Sequence, residues 1–148
     1  PLWRYACQGY SQSGVEKALL HLQDAHGADI NLILQALWLA SEGIEWTPQC
    51  IPNDYQKWVE EQVMPIRTMR RRLKTDWVEL RDAGYEGFRQ QVKKLELQAE
   101  QYALAMLFVS CEKYQSGKAI SEKDNLEKLG KSMNIPSEHF KLLMLVLP

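Results

Sequence analysis

Apolar positions recur at three- and four-residue intervals along almost the whole chain, and no stretch alternates apolar with polar residues. No Asn-Gly hairpin signal occurs. The pattern predicts an all-α protein of five or six helices. Residues 2–10 read as a short aromatic entry segment whose Trp3, Tyr5 and Tyr10 dock on the body. Ser13-Gly14-Val15-Glu16 has the form of a capping box, which opens a helix with Val15, Ala18, Leu19 and Leu22 on its buried stripe. Gly27 ends it as a left-handed C-terminal residue. Asp29 caps a second helix, about 30–42, closed by Gly43. This helix is apolar nearly all round, the mark of a central, buried helix. Asn31 and Gln35, four apart, form its only polar stripe.

A loop over 45–52, broken by Pro48 and Pro52, leads to Asn53 or Asp54, either of which caps a long third helix reaching about Asp82. Pro65 lies inside it. Proline removes one backbone hydrogen bond and clashes with the Glu61 carbonyl, so a kink or a break is expected there. A straight helix of about thirty residues would span roughly 45 Å, against a diameter of about 38 Å for a compact domain of this length. The helix therefore bends, or the domain is elongated, or the chain forms a homodimer. Gly84 closes it. A fourth helix over about 85–114 carries Phe88, Val92, Leu95, Ala99, Tyr102, Met106 and Val109 at alternating steps of four and three. That spacing is a coiled-coil-like seam, expected to pack antiparallel against the third helix. Ser121 caps a fifth helix, and Pro136-Ser137 start a sixth that runs into the apolar tail 142–147. A tail this apolar has to dock on the body or on a partner. One domain, 1–148, is expected, with a core over 12–116 and a C-terminal helical hairpin over 117–148.

Composition narrows the class. The chain has 148 residues, 45% of them hydrophobic, enough for a core without disulfides or a structural metal. With 18 Lys+Arg against 19 Asp+Glu its net charge is −1, which excludes a generally basic nucleic-acid binder. The distribution is uneven. Residues 1–62 carry three basic and eight acidic side chains, and residues 67–94 carry nine basic and four acidic. Cys7, Cys50 and Cys111 are widely spaced, odd in number and without a CxxC, so reduced thiols and a cytoplasmic location are the expectation. No run approaches the ~18 apolar residues of a membrane span, and no basic region followed by an apolar run opens the sequence as a signal peptide would.

The most distinctive chemistry is the run Arg67-Thr68-Met69-Arg70-Arg71-Arg72-Leu73-Lys74. On a helix Arg67, Arg71 and Lys74 share a face, and Arg70 borders the apolar stripe. Arginine suits bidentate capture of carboxylate or phosphate because its guanidinium is planar and always charged. The same run also reads as a solvated face, or as ion pairs to acidic residues elsewhere in the chain. Asp24 is a candidate counter-charge, since a carboxylate near a helix C-terminus is disfavoured by the helix dipole. A pocket of Asp24 and Asn31, walled by Trp38 and Trp58, is a second candidate site. His21, Asp24 and His26 do not read as metal ligands, because His21 and His26 are five apart and so project about 140° from one another on a helix. Glu96 and Glu100 lack the Glu-x-x-His partners of a di-iron bundle. Cys111 reads as a buried structural thiol. There is no HExxH, GxGxxG or phosphate-loop motif, and no catalytic residue, metal or cofactor is assigned. Residues 124–146 outline a helix-turn-helix, but the second helix is too apolar for a DNA groove.

Several blocks resemble a known family. Leu2-Trp3 with Tyr5, Gly14-Val15, Leu22-Gln23-Asp24, Gly27, Asp29 with Asn31-Leu32, and Trp38-Leu39 are similar to the opening of a proteobacterial family of small all-helical proteins of unknown function. Trp58, Val63-Met64-Pro65-Ile66-Arg67 and Arg70-Arg71 with Leu73-Lys74 resemble that family's second block. The resemblance covers about residues 2–105. It implies a bacterial, cytoplasmic helical domain, supplies no mechanism, and draws attention to the Asp24/Asn31 and Arg67/Arg71 blocks.

Two functional expectations follow. The leading one is a non-enzymatic binding or adaptor module that holds an acidic protein partner through Arg67, Arg70, Arg71 and Lys74. The other is an anionic small-molecule site, perhaps enzymatic, between Asp24/Asn31 and the arginines.

Overall fold

The structure is a computed structural model of the chain in which residues 1–114, 117 and 119–147 are described; among them there is no strand. In chain order the helices are α1 (Leu2–Tyr10), α2 (Val15–His26), α3 (Ile30–Ser41), α4 (Tyr55–Trp58), α5 (Met64–Thr75), α6 (Ala83–Cys111), α7 (Glu122–Met133) and α8 (Lys141–Val146). The all-α expectation holds, with more segments than the five or six the pattern predicts. The chain divides into two compact units. Residues Pro1–Pro52 with Leu107–Pro148 form the first, and Asn53–Met106 form the second.

The first unit is built around α3. Ile33, Leu34, Leu37 and Leu39 are almost wholly excluded from solvent, as an apolar circumference requires. Asp29 caps the helix as expected, accepting from the backbone N–H of Asn31 at 2.9 Å and of Leu32 at 3.3 Å. Gln35 is not part of a polar stripe. It is wholly buried, and its amide is a crosslink. Its Nε2 donates to the Cys50 carbonyl at 2.9 Å, the Leu107 carbonyl at 3.2 Å and Cys111 Sγ at 3.1 Å. Trp46 Nε1 donates to its Oε1 at 3.1 Å. Asn125 of α7 makes a second such node. It donates to the Ala36 carbonyl at 3.0 Å and the Ile44 carbonyl at 2.9 Å, and accepts from the Trp46 N–H at 2.8 Å. A buried amide has to satisfy its donors and acceptor to be tolerated, and both do.

Several local expectations change. The entry segment is the helix α1, and its buried side chains are Leu2 and Ala6, while Trp3 is exposed. Helical spacing of four, rather than aromatic character, selects the docked side. The capping box at Ser13 is absent. The residue ahead of α2 is Gly14, at φ 86°, with no side-chain cap. A Cβ there would lie 3.0 Å from Val146 Cγ1, so both the left-handed backbone and the approach of α8 call for glycine. At the other end Gly27 takes the expected left-handed conformation, φ 64°. Ser121 caps α7 in a true capping box with Asp124.

In the second unit the expected long helix is divided. A π-helical segment, Val59–Val63, separates α4 from α5, and Pro65 lies in the first turn of α5. The missing proline N–H and its clash with the preceding turn are taken up by widening that turn, as in π-bulges generally. The helix ends at Thr75 rather than near Asp82. Two side chains satisfy its last carbonyls: Tyr85 Oη donates to the Leu73 carbonyl and an Arg81 guanidinium nitrogen to that of Lys74. α6 begins at Ala83, so Gly84 lies inside it rather than before it.

The α6 seam is also rotated from the expected one. Val92 and Ala99 are buried, but Phe88, Leu95 and Tyr102 are more than half exposed. The buried row is Val92, Glu96, Ala99 and Ala103. The shift follows from what α4 and α5 offer. Trp58 Nε1 donates to the Ala99 carbonyl at 2.9 Å, an approach that only a small side chain at 99 allows, and Glu96 turns inward to meet two arginines.

Candidate functional site: the basic face of α5

The basic run occupies α5, and the helix sorts its charges. Arg67 and Arg70, three apart, lie on the side toward α6. Glu96 and Glu100, four apart on α6, receive them. Arg67 Nε is 3.3 Å from Glu96 Oε1 and its second nitrogen 2.7 Å from Glu100 Oε1. Arg70 closes on the same Glu96 through its Nε and through a longer 3.4 Å bond. Residues later in α5 pair with earlier ones in α6, so these two helices run antiparallel. Partial burial opposes the charge on Arg67, but Glu100 and Glu96 outweigh it and raise its pKa above the ordinary value. Glu96 and Glu100 thus supply the counter-charge for which the sequence offers Asp24. Their matched i, i+4 spacing, set beside arginines three apart, is the signal in the sequence for this pairing.

The rest of the run points outward. Arg71, Arg72 and Lys74 are exposed, and among the described residues none has an acidic side chain within ion-pair distance. Met64 and Met69, each about half exposed, lie among them on the outer surface of α5. The arrangement is an always-charged, donor-rich patch with apolar side chains interspersed, suited to carboxylate-bearing surfaces.

The second candidate site is distributed over both units. Asp24, exposed on α2, and Asn31 and Trp38, half-buried on α3, belong to the first unit. Trp38 packs against Phe108 at 5.4 Å between ring centroids. Trp58 belongs to the second unit, where its ring lies 4.6 Å from that of Tyr102.

The histidines correct one geometric expectation. His21 and His26 lie 5.9 Å apart edge to face, and His26 lies 3.9 Å from His139. His26 sits in the last turn of α2, where a side chain can fold back across the helix end despite its angular position. Partial desolvation, then the neighbouring His139 and His21, lower its pKa from 6.5. Among the described residues no group of three or more His, Cys, Asp or Glu side chains is placed to hold a metal ion. Elsewhere in the first unit a groove of about 580 Å³ runs between α7 and α8, floored by Leu126 and Phe140, with the exposed Leu145 at its edge. Its rim carries Lys123, Glu127, Glu138 and Lys141, a balance that favours neither sign of ligand.

Fold and site together define a helical protein of two units that carries a partly neutralised arginine helix. Among the described residues no helix is long and apolar enough to cross a membrane. A family model described as "Protein of unknown function (DUF2390)" matches residues 1–107, and the chain belongs to that family. No curated protein and no solved structure matches it.

Proposed function

We propose that this protein is a non-enzymatic binding module that engages an acidic protein partner through the outer face of α5. The observation that carries this reading is the division of the basic run. Glu96 and Glu100 hold Arg67 and Arg70, while Arg71, Arg72 and Lys74 stay exposed without a counter-charge among the described residues. Arg67 and Arg70 then serve as positioning residues that fix the helix, and the outer three make the contact. An anionic small molecule bound at Arg67 and Arg70 would have to displace carboxylates already bonded there, which disfavours the small-ligand alternative.

The test uses a fluorescent oligoglutamate peptide as probe, with wild type and the double variant Arg71→Glu, Lys74→Glu compared at low and physiological salt. Wild type should bind, weaken with salt as exposed charge pairs do, and lose binding in the variant, whose circular dichroism stays unchanged. Equal binding by both proteins would remove the α5 face from consideration.

A further inference from the structure

The face of α6 about a quarter turn round from the one packed on α5 inverts the usual pattern of an exposed helix. Helices normally turn charges to water and apolar residues inward. Here Glu96, almost wholly buried, and Glu100 face α5, while the outward positions are Phe88, Gln91, Leu95, Gln98, Tyr102 and Ala105. These six follow one another at steps of three and four, and none is charged. Lys94 flanks the row, so one ammonium, able to reach the rim on its long stem, is the single charge at its edge.

We propose that this outward face of α6 is a self-association surface, on which a second copy of this chain packs through the row from Phe88 to Ala105. Three observations point to a copy rather than an unlike partner. The first is spacing: a regular three-four row is the pattern that interdigitates with an identical row. The second is charge, because a neutral face has nothing to repel its own image, and an isologous contact requires self-complementarity. The third is area. Phe88, Leu95 and Tyr102 are 53%, 51% and 57% exposed. At 150–250 Å² for a whole aromatic side chain, about 100 Å² remains open on each ring. With Leu95, the glutamines and Ala105 the face offers roughly 500–600 Å², about 1,000–1,200 Å² for two copies, which reaches the lower end of specific interfaces. Eighteen residues of helix make it about 27 Å long. Tyr102 is already held by the Trp58 ring 4.6 Å away, so less of its freedom is lost on association.

The inference is independent of the α5 reading, since the two faces share no residue. Sedimentation velocity decides it, run in reductant because Cys7 is exposed and could crosslink copies by itself. At about 50 μM the wild type should sediment with twice the chain mass. Leu95→Glu with Tyr102→Glu should be monomeric, with helix content unchanged and dimer affinity reduced at least ~100-fold. Arg71→Glu should remain a dimer. A monomeric wild type, or a dimer that persists in the double glutamate variant, overturns the proposal. The milder Leu95→Ala weakens the dimer without adding charge, which distinguishes a lost contact from misfolding.

Discussion

Arg67 and Glu100 lie 2.7 Å apart, with about a quarter to a third of each side chain exposed, and Glu96 sits beside them bridging to Arg70 as well. The two glutamates differ in environment. The Glu96 side chain is 10% exposed and that of Glu100 30%.

Glu96→Ala should therefore destabilise the protein more than Glu100→Ala. Losing Glu96 leaves two partly buried guanidinium groups short of an acceptor, a cost of about 2–3 kcal/mol. The more exposed Glu100 should cost about 1 kcal/mol or less. Urea midpoints of the two variants measure this. Equal midpoints would mean that Glu96 does not organise the α5–α6 pair.

Gln35→Leu keeps the shape of α3 roughly constant but removes one acceptor and two donors. The Trp46 indole N–H loses its buried acceptor, whereas the Cys50 carbonyl keeps the Ser110 hydroxyl as a donor. With one buried donor left unsatisfied, the variant should lose about 1–3 kcal/mol. For a chain of this size the melting temperature would fall by roughly 3–9 °C. Thermal denaturation followed by tryptophan fluorescence checks it, and an unchanged melting temperature would show that the node is energetically idle.

His26 makes stability depend on pH. His26 has a lowered pKa in the folded state, so the unfolded chain binds its proton more readily. Its contribution is complete above 6.5, the ordinary value, and is lost as pH falls from there through the folded pKa. Urea midpoints should drop as pH falls below 6.5, and His26→Gln should flatten that drop. The rings that face His26 are those of His21, at 5.9 Å, and His139, at 3.9 Å. A variant with the same pH slope as wild type would assign the effect elsewhere.

Much of the fold was legible because local signals agreed with tertiary need. Asp29 before an apolar run, Gly27 after one, and Ser121 three residues ahead of Asp124 each satisfy backbone groups that any helix end leaves open. Pro65 announced a disturbance, since its missing N–H is a covalent fact; that the disturbance is a π-segment depends on how the neighbouring turn relaxes. The α6 seam was misread because two adjacent faces of that helix are both apolar. Periodicity identifies such faces but does not choose between them. The inward turn of Glu96 toward Arg67 and Arg70 decided, and that preference belongs to another helix.

The sequence by itself determined an all-helical chain, most helix boundaries, the buried character of α3 and the arginine run as the distinctive surface chemistry. These rest on spacing, capping and backbone covalency, which act within a few residues. Only the tertiary structure decided that Gln35 is a crosslink rather than part of a polar stripe, that Glu96 and Glu100 neutralise half of the arginine run, and that α6 turns an uncharged face outward. Each depends on groups far apart along the chain, such as Gln35 and Cys111, 76 residues apart, meeting where burial makes an unsatisfied donor or charge too costly to leave.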